Sequence, residues 1–250
     1  MSKLSVLIPC FNSEKTIRAT LESVKLADEI LVCDSFSTDK TLDIARQYGA
    51  RIIQHEYKNS ATQKNWAIPQ CRHDWVLIID TDETLEDSLK EEIQNKLKEN
   101  SSSFNAYRIP RKNFVYGRWM KYGGLYPDYQ IRLFRQDKAR YETREVHAQM
   151  IAEGAIGTLR HHFLHNGFKD MREWFVKTER YPHYEADEIV KQNRNFSWVR
   201  LILYPFLIFI QKYFLKLGML DGYPGFLMAV LDSGYYFMMH ARLYERCRFK

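Results

Sequence analysis

Asp80 and Asp82 are the residues of this sequence with the clearest capacity for chemistry. They follow the apolar run that starts at Trp75, at positions i and i+2, so an extended backbone directs both carboxylates into one space. Such oxygen ligands suit Mg²⁺ or Mn²⁺ bound to a diphosphate. An isolated Asp-x-Asp is more typical of an acidic turn before a helix, because acidic side chains favour a helix N-terminus. The choice between a metal site and a turn therefore depends on the residues expected nearby.

Other predicted strand ends, and one helix between them, also carry residues that suit a ligand. After the first strand comes a short loop able to pass beneath a nucleotide base, and the second strand ends in an acid. A helix before the fourth strand adds a cation and an amide that could reach a phosphate or ribose. These residues are Pro9, Phe11 and Asn12 in the loop, Asp34 as the acid, and Lys64 and Asn65 on the helix. Each is weak evidence alone, but together they predict one ligand-binding edge.

The elements that must position these residues alternate along the first hundred residues. The predicted strands cover residues 4–8, 29–34, 51–54 and 75–80. The predicted helices begin near Ser13 and cover residues 38–48, 61–71 and 86–99. Short strands that alternate with helices predict an α/β fold in which a parallel sheet has helices on both faces. In such sheets ligands bind beyond the carboxyl ends of the strands, where the residues above are expected.

Three motifs in this segment resemble the donor-binding half of the family-two inverting glycosyltransferases, which have the GT-A fold. The usual motifs of that family are V-x-I-P-x-Y-N, D-x-x-S-x-D-x-T and D-x-D. This chain has Val6-Leu7-Ile8-Pro9-Cys10-Phe11-Asn12, Asp34-Ser35-Phe36-Ser37-Thr38-Asp39-Lys40-Thr41 and Asp80-Thr81-Asp82, in the same order. The resemblance implies a Rossmann-like GT-A sheet, a UDP-sugar donor and a bound Mg²⁺ or Mn²⁺. It also implies that Asp34 binds the uracil edge, Asp80 the ribose side and Asp82 the metal.

Later segments resemble one bacterial branch of that family, which includes lipopolysaccharide-core glucosyltransferases. Residues 126–134 are similar to its acceptor side, and Phe206, residues 212–217 and residues 220–225 are similar to its C-terminal tail. The branch often has Val-His-Glu where this chain has Val146-His147-Ala148, so residue 148 supplies no carboxylate. The resemblance implies transfer of a hexose, with glucose preferred, to a membrane-anchored glycan. The inner core of lipopolysaccharide is the preferred acceptor, and another lipid-linked or peptide acceptor is the alternative.

An inverting transfer is a single displacement, so it needs a base that takes the proton of the acceptor hydroxyl. We predict Asp128 as this base and Glu145 as its substitute. Asp128 also fits a turn that follows Pro127. Arg132 has the fork geometry that suits a diphosphate, and a buried structural ion pair is the other interpretation.

The histidines at positions 161, 162 and 165 raise the possibility of a metal site. In a strand, His161 and His165 would share a face, but such a pair without a carboxylate makes a poor zinc site. Structural or surface roles are therefore expected for these histidines. His165 is kept as an additional ligand of the diphosphate-bound metal.

The chain divides by composition into three predicted regions. Residues 1–100 form the donor-binding half, residues 101–195 an acceptor-side region that begins with a serine linker, and residues 196–250 a helical tail. The apolar run at 201–210 is about half of the roughly 20 residues that cross a bilayer, so a spanning helix is not expected. Aromatic residues beside Arg200, Lys212 and Lys216 instead favour the membrane interface. The alternative is that the tail packs on the catalytic domain or on a second subunit, which leaves a homo-oligomer open.

Charge and cysteine content narrow the function classes further. The net charge of +6 and the pI of about 9.0 fit a phosphorylated ligand or an anionic membrane. No basic run is interleaved with aromatic residues in the way RNA-binding motifs require, so nucleic acid is not an expected partner. The four cysteines have no metal-type spacing and are expected to be reduced and buried. Because no signal peptide is recognisable, we expect a cytoplasmic protein that is peripheral on the cytoplasmic face of the inner membrane.

Two other enzyme classes and one non-enzyme class share part of this pattern. Asp80-Thr81-Asp82-Glu83-Thr84 fits the D-x-D-x-T of haloacid-dehalogenase-like phosphatases, but those enzymes carry it on the first strand and need a later Gly-Asp pair. A sugar-nucleotide pyrophosphorylase needs a glycine-rich loop after the first strand, which the residues at 9–12 do not provide. An inactive membrane-bound scaffold is the third alternative, and the set of acids at the strand ends argues against it.

Overall fold

The computed structural model describes residues 2–99, 103–143, 148–168 and 196–248, with scattered positions between 171 and 190. The chain forms two compact units. The first unit comprises Met1–Arg111 and Asp128–His165, and the second comprises Lys112–Pro127 and Asn166–Lys250. The predicted base Glu145 lies outside the described residues.

Four parallel strands form the centre of the first unit. They are β1 (Leu4–Cys10), β2 (Glu29–Asp34), β3 (Arg51–Gln54) and β4 (Trp75–Ile78), arranged in the order β3-β2-β1-β4. All residues of β4, and nearly all of β1 and β2, are buried, as expected for parallel strands covered on both faces. The four predicted strands are confirmed, and their carboxyl ends lie at one edge of the sheet.

Helices of the first unit follow these strands. They are α1 (Ile17–Ser23), α2 (Thr41–Gln47), α3 (Ser60–Ala67) and α4 (Asp87–Lys98). Each predicted helix is confirmed but shorter than expected. Helix α2 begins at Thr41 because Asp39 accepts the Thr41 N–H at 3.0 Å and keeps the preceding residues in a turn. Helix α3 is followed by a 3₁₀ turn, Ile68–Gln70, whose proline cannot continue the α-helical hydrogen bonds.

The sheet continues from β4 with antiparallel and mixed pairing. The added strands are β5 (Glu83–Leu85), β6 (Ala106–Val115), β8 (Asp128–Arg135), β11 (Ile156–Thr158) and β12 (Phe163–Phe168). The order from β4 is β4-β8-β6-β12-β5, with β11 beside β6, while β9 (Ala139–Tyr141) and β10 (Met150–Ala152) form a separate pair. The α/β class is therefore confirmed, with a mixed sheet that extends the parallel strands. The short strand β5 directly follows the Asp-x-Asp motif, which differs from the alternative interpretation of an acidic turn that leads into a helix.

Alternate residues of β1 belong to two different hydrophobic clusters. Val6 and Ile8 pack with Leu21 and Leu89 of the flanking helices. Leu7 packs with Ile78, Ala61 and Phe134 in the other cluster. Because neighbouring side chains of a strand point to opposite faces, the sheet has a buried core on each side.

The second unit is built from the end of β6 and the C-terminal helices. Strand β7 (Arg118–Trp119) pairs with Phe114 and Val115 of β6. Helix α5 (Trp198–Ile210) continues through a π-helical turn (Gln211–Leu215), and a 3₁₀ turn (Gly218–Asp221) leads to α6 (Tyr223–Arg248). Met171, Trp174 and Phe175 have a helical backbone.

Helices α5 and α6 pack against each other. The Ser233 hydroxyl donates to the Pro205 carbonyl at 2.8 Å, and Lys212 forms an ion pair with Asp232. Trp198–Leu215 is one continuous helical stretch of 18 residues with a mean hydropathy of 1.3, long and apolar enough by these measures to cross a membrane. The π-helical turn lengthens the apolar run beyond the 201–210 segment that was judged too short. Within the described residues it is the one helix that meets these measures.

Candidate active site

Asp80, two residues after the end of β4, lies between two buried cations. Its Oδ1 is 3.0 Å from Nζ of Lys64 on α3, and its Oδ2 accepts a hydrogen bond from Nη2 of Arg132 on β8 at 2.9 Å. Burial alone would raise the pKa of Asp80, but the charges of Lys64 and Arg132 outweigh it and hold this pKa well below its ordinary value. Asp80 is therefore ionised at neutral pH, and it brings three residues predicted for the site into contact.

The local sequence explains why both cations reach this point. Helix α3 begins at the cap of Asn59, whose Oδ1 accepts the Thr62 N–H at 2.9 Å, and this start places Lys64 on the buried face. Strand β8 pairs antiparallel with β4, which brings Arg132 beside the end of β4. The charges of Glu83 and Asp80 raise the pKa of Arg132 although burial acts to lower it, so the guanidinium is fully charged.

One nitrogen of Arg132 is of particular interest. The guanidinium takes part in a structural ion pair with Asp80 and Glu83, which was one of its two predicted roles. Its Nη1, however, is buried and has no hydrogen-bond partner within the part of the chain that the structure describes. A buried, unsatisfied donor on a charged group is unfavourable unless a ligand completes it. The same arginine therefore has a hydrogen-bond donor available for an anion.

Glu83 and Arg111 belong to the same group of charges but were not singled out from the sequence. Glu83 is fully buried, and its carboxylate accepts from Arg111 Nη1 at 3.0 Å, from Arg132 Nη2 at 3.2 Å and from the Asp80 N–H at 3.1 Å. Arg111 also binds Asp128. The only sign of these roles in the sequence is that Glu83 directly follows Asp82 and that Arg111 opens a segment rich in arginine and tyrosine.

Asp128, the predicted base, is the first residue of β8. Its Oδ2 accepts from Arg111 Nε at 2.8 Å and lies 2.7 Å from Arg111 Nη2, while its Oδ1 accepts from Gln130 at 2.7 Å. The side chain is 23% exposed, so it is accessible from solvent while being held by the arginine. The register explains the pair, because Arg111 and Asp128 lie opposite each other on the antiparallel strands β6 and β8.

Asp82 and His165 lie close together, as proposed for a metal. Asp82 Oδ2 is 3.4 Å from His165 Nε2, because β12 pairs antiparallel with β5 and places His165 opposite Glu83. Within the described ranges no group of three or more His, Cys, Asp or Glu residues is arranged to hold a metal ion. One carboxylate and one imidazole fit a metal that takes its other ligands from a diphosphate and water, as Mg²⁺ commonly does. They do not fit a closed structural zinc site.

The two other histidines do not contribute to this pair. His161 precedes β12 and is not in a strand, so the prediction that it shares a strand face with His165 is wrong. Its backbone N–H donates to Glu92 at 3.0 Å, because the bend before β12 packs on the N-terminal half of α4. His162 Nδ1 lies 3.1 Å from Glu86.

The predicted nucleotide loop lies at the ends of β1 and β2. Asp34 is buried, and its carboxylate accepts from the Ser37 N–H at 3.0 Å and from Gln54 at 3.0 Å. Asn12 Oδ1 accepts the Thr38 N–H at 2.8 Å, which ties the two strand-end loops together. These contacts give the edge of the sheet a fixed shape before any ligand binds.

Exposed aromatic residues accompany this pair of loops. Phe11 is 58% exposed and Phe36 is 55% exposed, although both follow buried strands. Phe36 adopts a left-handed backbone with φ of 62°, which is uncommon for such a residue. Pro9 lies in β1 opposite Cys33. Phe36 was not singled out from the sequence, although it lies inside the second motif.

Asn65 has a different role from the one predicted. Its side-chain amide donates to the Tyr141 carbonyl at 3.0 Å and accepts the Tyr141 N–H at 2.8 Å. Both polar ends of the amide are thus engaged by the backbone of β9, since Asn65 and Lys64 are neighbours and point to different sides of α3. The amide ties β9 to α3 and is not directed at a phosphate or ribose.

Comparison with known proteins gives consistent matches. Residues 5–151 match the family described as Glycosyl transferase family 2. The chain is 29% identical to "Lipopolysaccharide core biosynthesis glycosyltransferase LpsC" of Rhizobium meliloti, over 97% of this chain and 92% of that protein. It is 28% identical to an uncharacterized glycosyltransferase of Rickettsia typhi, over 98% of this chain and 88% of that protein. Among solved structures, S. aureus TarS 1-349 in complex with UDP-GlcNAc matches with a TM-score of 0.53 and 17% identity, over 99% and 92% of the two chains, which supports a common fold.

Proposed function

Since this chain belongs to glycosyl transferase family 2, and is therefore a nucleotide-sugar-dependent glycosyltransferase, we propose that it transfers a hexose from a UDP-sugar. Glucose is the preferred hexose. The proposed transfer inverts the anomeric configuration and forms a glycosidic bond to a hydroxyl of a membrane-anchored glycan, with UDP as the leaving group. Atoms and charge balance when the hydroxyl proton passes to a base on the enzyme.

The observation that carries this proposal is the buried guanidinium of Arg132. Its Nη1 has no hydrogen-bond partner among the described residues, while its Nη2 binds Asp80, which also binds Lys64. A diphosphate is an anion that can accept from a planar guanidinium, so binding a nucleotide sugar here would satisfy the donor. A ligand without hydrogen-bond acceptors would leave this donor unsatisfied.

The remaining donor-side roles follow from the positions of the residues along the sheet edge. We assign Asp34 to the uracil edge, Pro9, Phe11 and Asn12 to the loop beneath the base, and Asp80 to the ribose side. The exposure of Phe11 supports this assignment, because an exposed ring beside a strand end offers an apolar surface for a base. For Asp34, one of its present hydrogen bonds would be exchanged for one to the base.

A divalent cation, Mg²⁺ or Mn²⁺, is proposed to bind at Asp82 and His165. The 3.4 Å approach of these two side chains supports the assignment. When bound, such an ion neutralises negative charge that develops on the diphosphate leaving group. Asp82 and His165 would hold the ion, and Arg132 would share the charge on the diphosphate.

Asp128 is proposed as the base that accepts the proton of the acceptor hydroxyl. Its partial exposure supports this role, because the carboxylate can be approached by an acceptor from solvent. The hydrogen bonds from Arg111 and Gln130 orient the carboxylate. Glu145 is the substitute if Asp128 has only a structural role.

The proposed acceptor is the inner core of lipopolysaccharide, and the proposed location is the cytoplasmic face of the inner membrane. The similarity to LpsC supports the acceptor class. The apolar helix α5, which leaves large side chains such as Ile202 and Phe206 exposed, supports association with a membrane. On this proposal residues 1–100 bind the donor, residues 101–195 face the acceptor and residues 196–250 form the membrane-associated tail.

The test is a titration of UDP into the protein by calorimetry, with and without Mn²⁺, followed by a donor comparison. UDP release would be measured with UDP-glucose and with UDP-GlcNAc in the presence of core-truncated lipopolysaccharide. Metal-dependent UDP binding and release from UDP-glucose are the expected results. No binding of UDP by folded protein would overturn the donor assignment, and release from UDP-GlcNAc alone would replace glucose as the transferred sugar.

A further inference from the structure

Glu83 is buried among the charged groups of the site without itself reaching solvent. Three contacts to its carboxylate, from Arg111, Arg132 and the Asp80 N–H, all measure between 3.0 and 3.2 Å. Such a group is too enclosed to touch a substrate. Its partners, in contrast, lead to Asp80 on one side and to Asp128 on the other.

We propose that Glu83 is a positioning residue that holds Arg111 in the orientation in which this guanidinium orients Asp128. This inference rests on the proposed function, in which Asp128 is the base. Arg111 uses Nη1 for Glu83 and uses Nε and Nη2 for Asp128, so opposite edges of one planar guanidinium face the two carboxylates. Such a planar group cannot turn without losing its bonds to both.

The balance of charge explains why a carboxylate is needed at position 83. The ion pairs between described residues join three positive groups, Lys64, Arg111 and Arg132, to three negative groups, Asp80, Asp128 and Glu83. Without the charge of Glu83, two arginines that are mostly buried would compete for Asp80 and Asp128. Buried charges without a partner are strongly unfavourable, so the guanidinium groups would move to find one.

The contacts that lead from Glu83 through Arg132 to Asp80 and through Arg111 to Asp128 do not depend equally on Glu83. Asp80 is held by Lys64 as well as by Arg132, so the donor side keeps a second contact when Glu83 is neutralised. Arg111, which contacts Asp128, has Glu83 as its second carboxylate contact among the described residues, so this arginine loses one of its two anchors when Glu83 is neutralised. Loss of Glu83 should therefore disturb the base more than the nucleotide site. This predicts a specific pattern, with kcat reduced and donor affinity largely preserved.

The matched control is Glu29, at the opposite end of β2 from Asp34. Glu29 is also buried, and its Oε1 accepts from Arg51 Nε at 2.9 Å and Nη2 at 2.8 Å. Glu29→Gln and Glu83→Gln thus remove the same kind of bond, but only Glu83 is in contact with predicted site residues. A role that is merely structural would give both variants similar activity per folded molecule.

The experiment compares wild type, Glu29→Gln, Glu83→Gln, Arg111→Gln and the double variant Glu83→Gln with Arg111→Gln. UDP release from UDP-glucose with Mn²⁺ and core-truncated lipopolysaccharide gives kcat, and calorimetry gives the Kd of UDP. We expect Glu83→Gln to lower kcat by about 100-fold, the usual effect of a misplaced catalytic group, with the Kd of UDP changed less than about threefold. Because both single variants interrupt one chain of contacts, the double variant should lose little more than the worse single one.

Three results would overturn the inference. In the first, the kcat losses of the two single variants multiply in the double variant. In the second, Glu29→Gln lowers kcat as much as Glu83→Gln does. In the third, Glu83→Gln raises the Kd of UDP by the same factor by which it lowers kcat. If Glu83→Gln does not fold, Arg111→Lys is used instead, because a lysine has no planar group that can contact both carboxylates. A lower kcat of Arg111→Lys with a preserved Kd of UDP supports the inference, and an unchanged kcat overturns it.

A readout that needs no turnover separates this inference from the proposed function. The Nε–H resonance of Arg111, followed by NMR in the wild type, should exchange slowly with solvent and exchange faster in Glu83→Gln. If the wild type binds no UDP, the proposed function fails, and the Arg111 resonance still shows whether Glu83 holds this arginine. If the Arg111 Nε–H exchanges with solvent at the same rate in wild type and Glu83→Gln, the inference is overturned and the proposed function is not affected.

Discussion

Nζ of Lys64 lies 3.0 Å from Oδ1 of Asp80, and the lysine side chain is only 7% exposed. Burial acts to lower the pKa of Lys64, but the charge of Asp80 outweighs it and raises this pKa above its ordinary value. Each group therefore stabilises the charged form of the other. The pair thus links α3 to the end of β4, the strand that follows it in the chain.

Replacing Lys64 by methionine should weaken the donor site and the fold together. Asp80 would retain Arg132 but lose one of its two cations, so we expect a loss of about 2 kcal/mol in the free energy of unfolding. UDP affinity should fall at least about tenfold, since the charge that faces the diphosphate also falls. Urea denaturation and calorimetry measure the two effects. Lys25→Met is the control, because Lys25 pairs with Glu22 on the exposed surface, and this variant should match the wild type.

Asp82→Ala should abolish the effect of Mn²⁺ on UDP binding. A carboxylate oxygen is the kind of ligand that Mg²⁺ prefers, so its loss removes more metal affinity than the loss of the imidazole in His165→Ala. Calorimetric titration of UDP with and without Mn²⁺ gives the metal dependence of each variant. Asp43→Ala, at an exposed acid on α2, serves as the control and should keep the full dependence. An Asp82→Ala protein that still binds UDP more tightly with Mn²⁺ would contradict the metal assignment.

The ends of the parallel strands were predictable because burial on both faces leaves a clear pattern in the sequence. Strand β4 consists wholly of buried residues, and the first polar residues after it mark the edge of the sheet. The same applies to β2, which ends at Asp34. The α/β class and the positions of the acids at the strand ends follow from this pattern.

The charge network on the antiparallel side was not predictable in this way. Arg111 meets Asp128 because β6 and β8 pair in one particular register, and that register includes a shift between Tyr107 and Arg108. Which residues lie opposite each other in such a pair depends on the register of the two strands, and sequence spacing does not reveal that register. Asn65 shows the same limit on a helix, because its neighbour Lys64 faces the site while Asn65 binds the backbone of Tyr141.

Glu29→Gln should destabilise the protein in a pH-dependent manner. Burial acts to raise the pKa of Glu29, but hydrogen bonds from Ser5, the Arg72 N–H and Arg51 outweigh it and lower this pKa. A carboxyl whose folded pKa is lowered contributes stability above its unfolded pKa of about 4.3, and this contribution is lost as the pH falls through the folded pKa. We expect a difference of about 2 kcal/mol between wild type and Glu29→Gln near neutral pH.

Urea denaturation at neutral pH and at about pH 3 measures this dependence. The difference between the two proteins should shrink at the lower pH, because below the unfolded pKa the unfolded wild type takes up a proton at Glu29 and the contribution of the charge begins to be lost. A difference that is the same at both values would show that the Glu29 charge makes no contribution. Activity should not differ between the two folded proteins at neutral pH.

Asp221→Ala should loosen the loop that follows β7. The Asp221 carboxylate is buried and accepts the backbone N–H groups of Lys121 at 3.1 Å and Tyr122 at 2.9 Å. Alanine removes both acceptors, so hydrogen exchange of these two amides should become faster. The Met120 amide is an internal control, because it donates to the Asn113 carbonyl at 2.9 Å and does not use Asp221. Equal exchange at positions 121 and 122 in both proteins would rule out this role.

The exposed side chains of α5 predict how the tail associates with a membrane. Ile202 is 66% exposed and Phe206 is 61% exposed, and their spacing of four residues places them on one face of the helix. Burial of each such side chain in lipid contributes roughly 1.5–3 kcal/mol, so replacing both by glutamate should weaken vesicle binding by at least about 100-fold. Co-sedimentation with vesicles that contain anionic lipid measures this binding. Ile151→Glu, at a similarly exposed apolar residue of β10, is the control and should bind like the wild type.

The same double variant distinguishes the membrane from a second subunit as the partner of this face. If the face contacts lipid, wild type and variant should have the same mass by light scattering in the absence of vesicles. If the face instead joins two copies, the wild type should be an oligomer that the glutamates dissociate, while vesicle binding stays unchanged. The basic residues Arg200 and Lys216 beside the apolar face favour the first outcome, because they attract anionic lipid. Vesicle binding that is stronger with anionic than with zwitterionic lipid would support this reason directly.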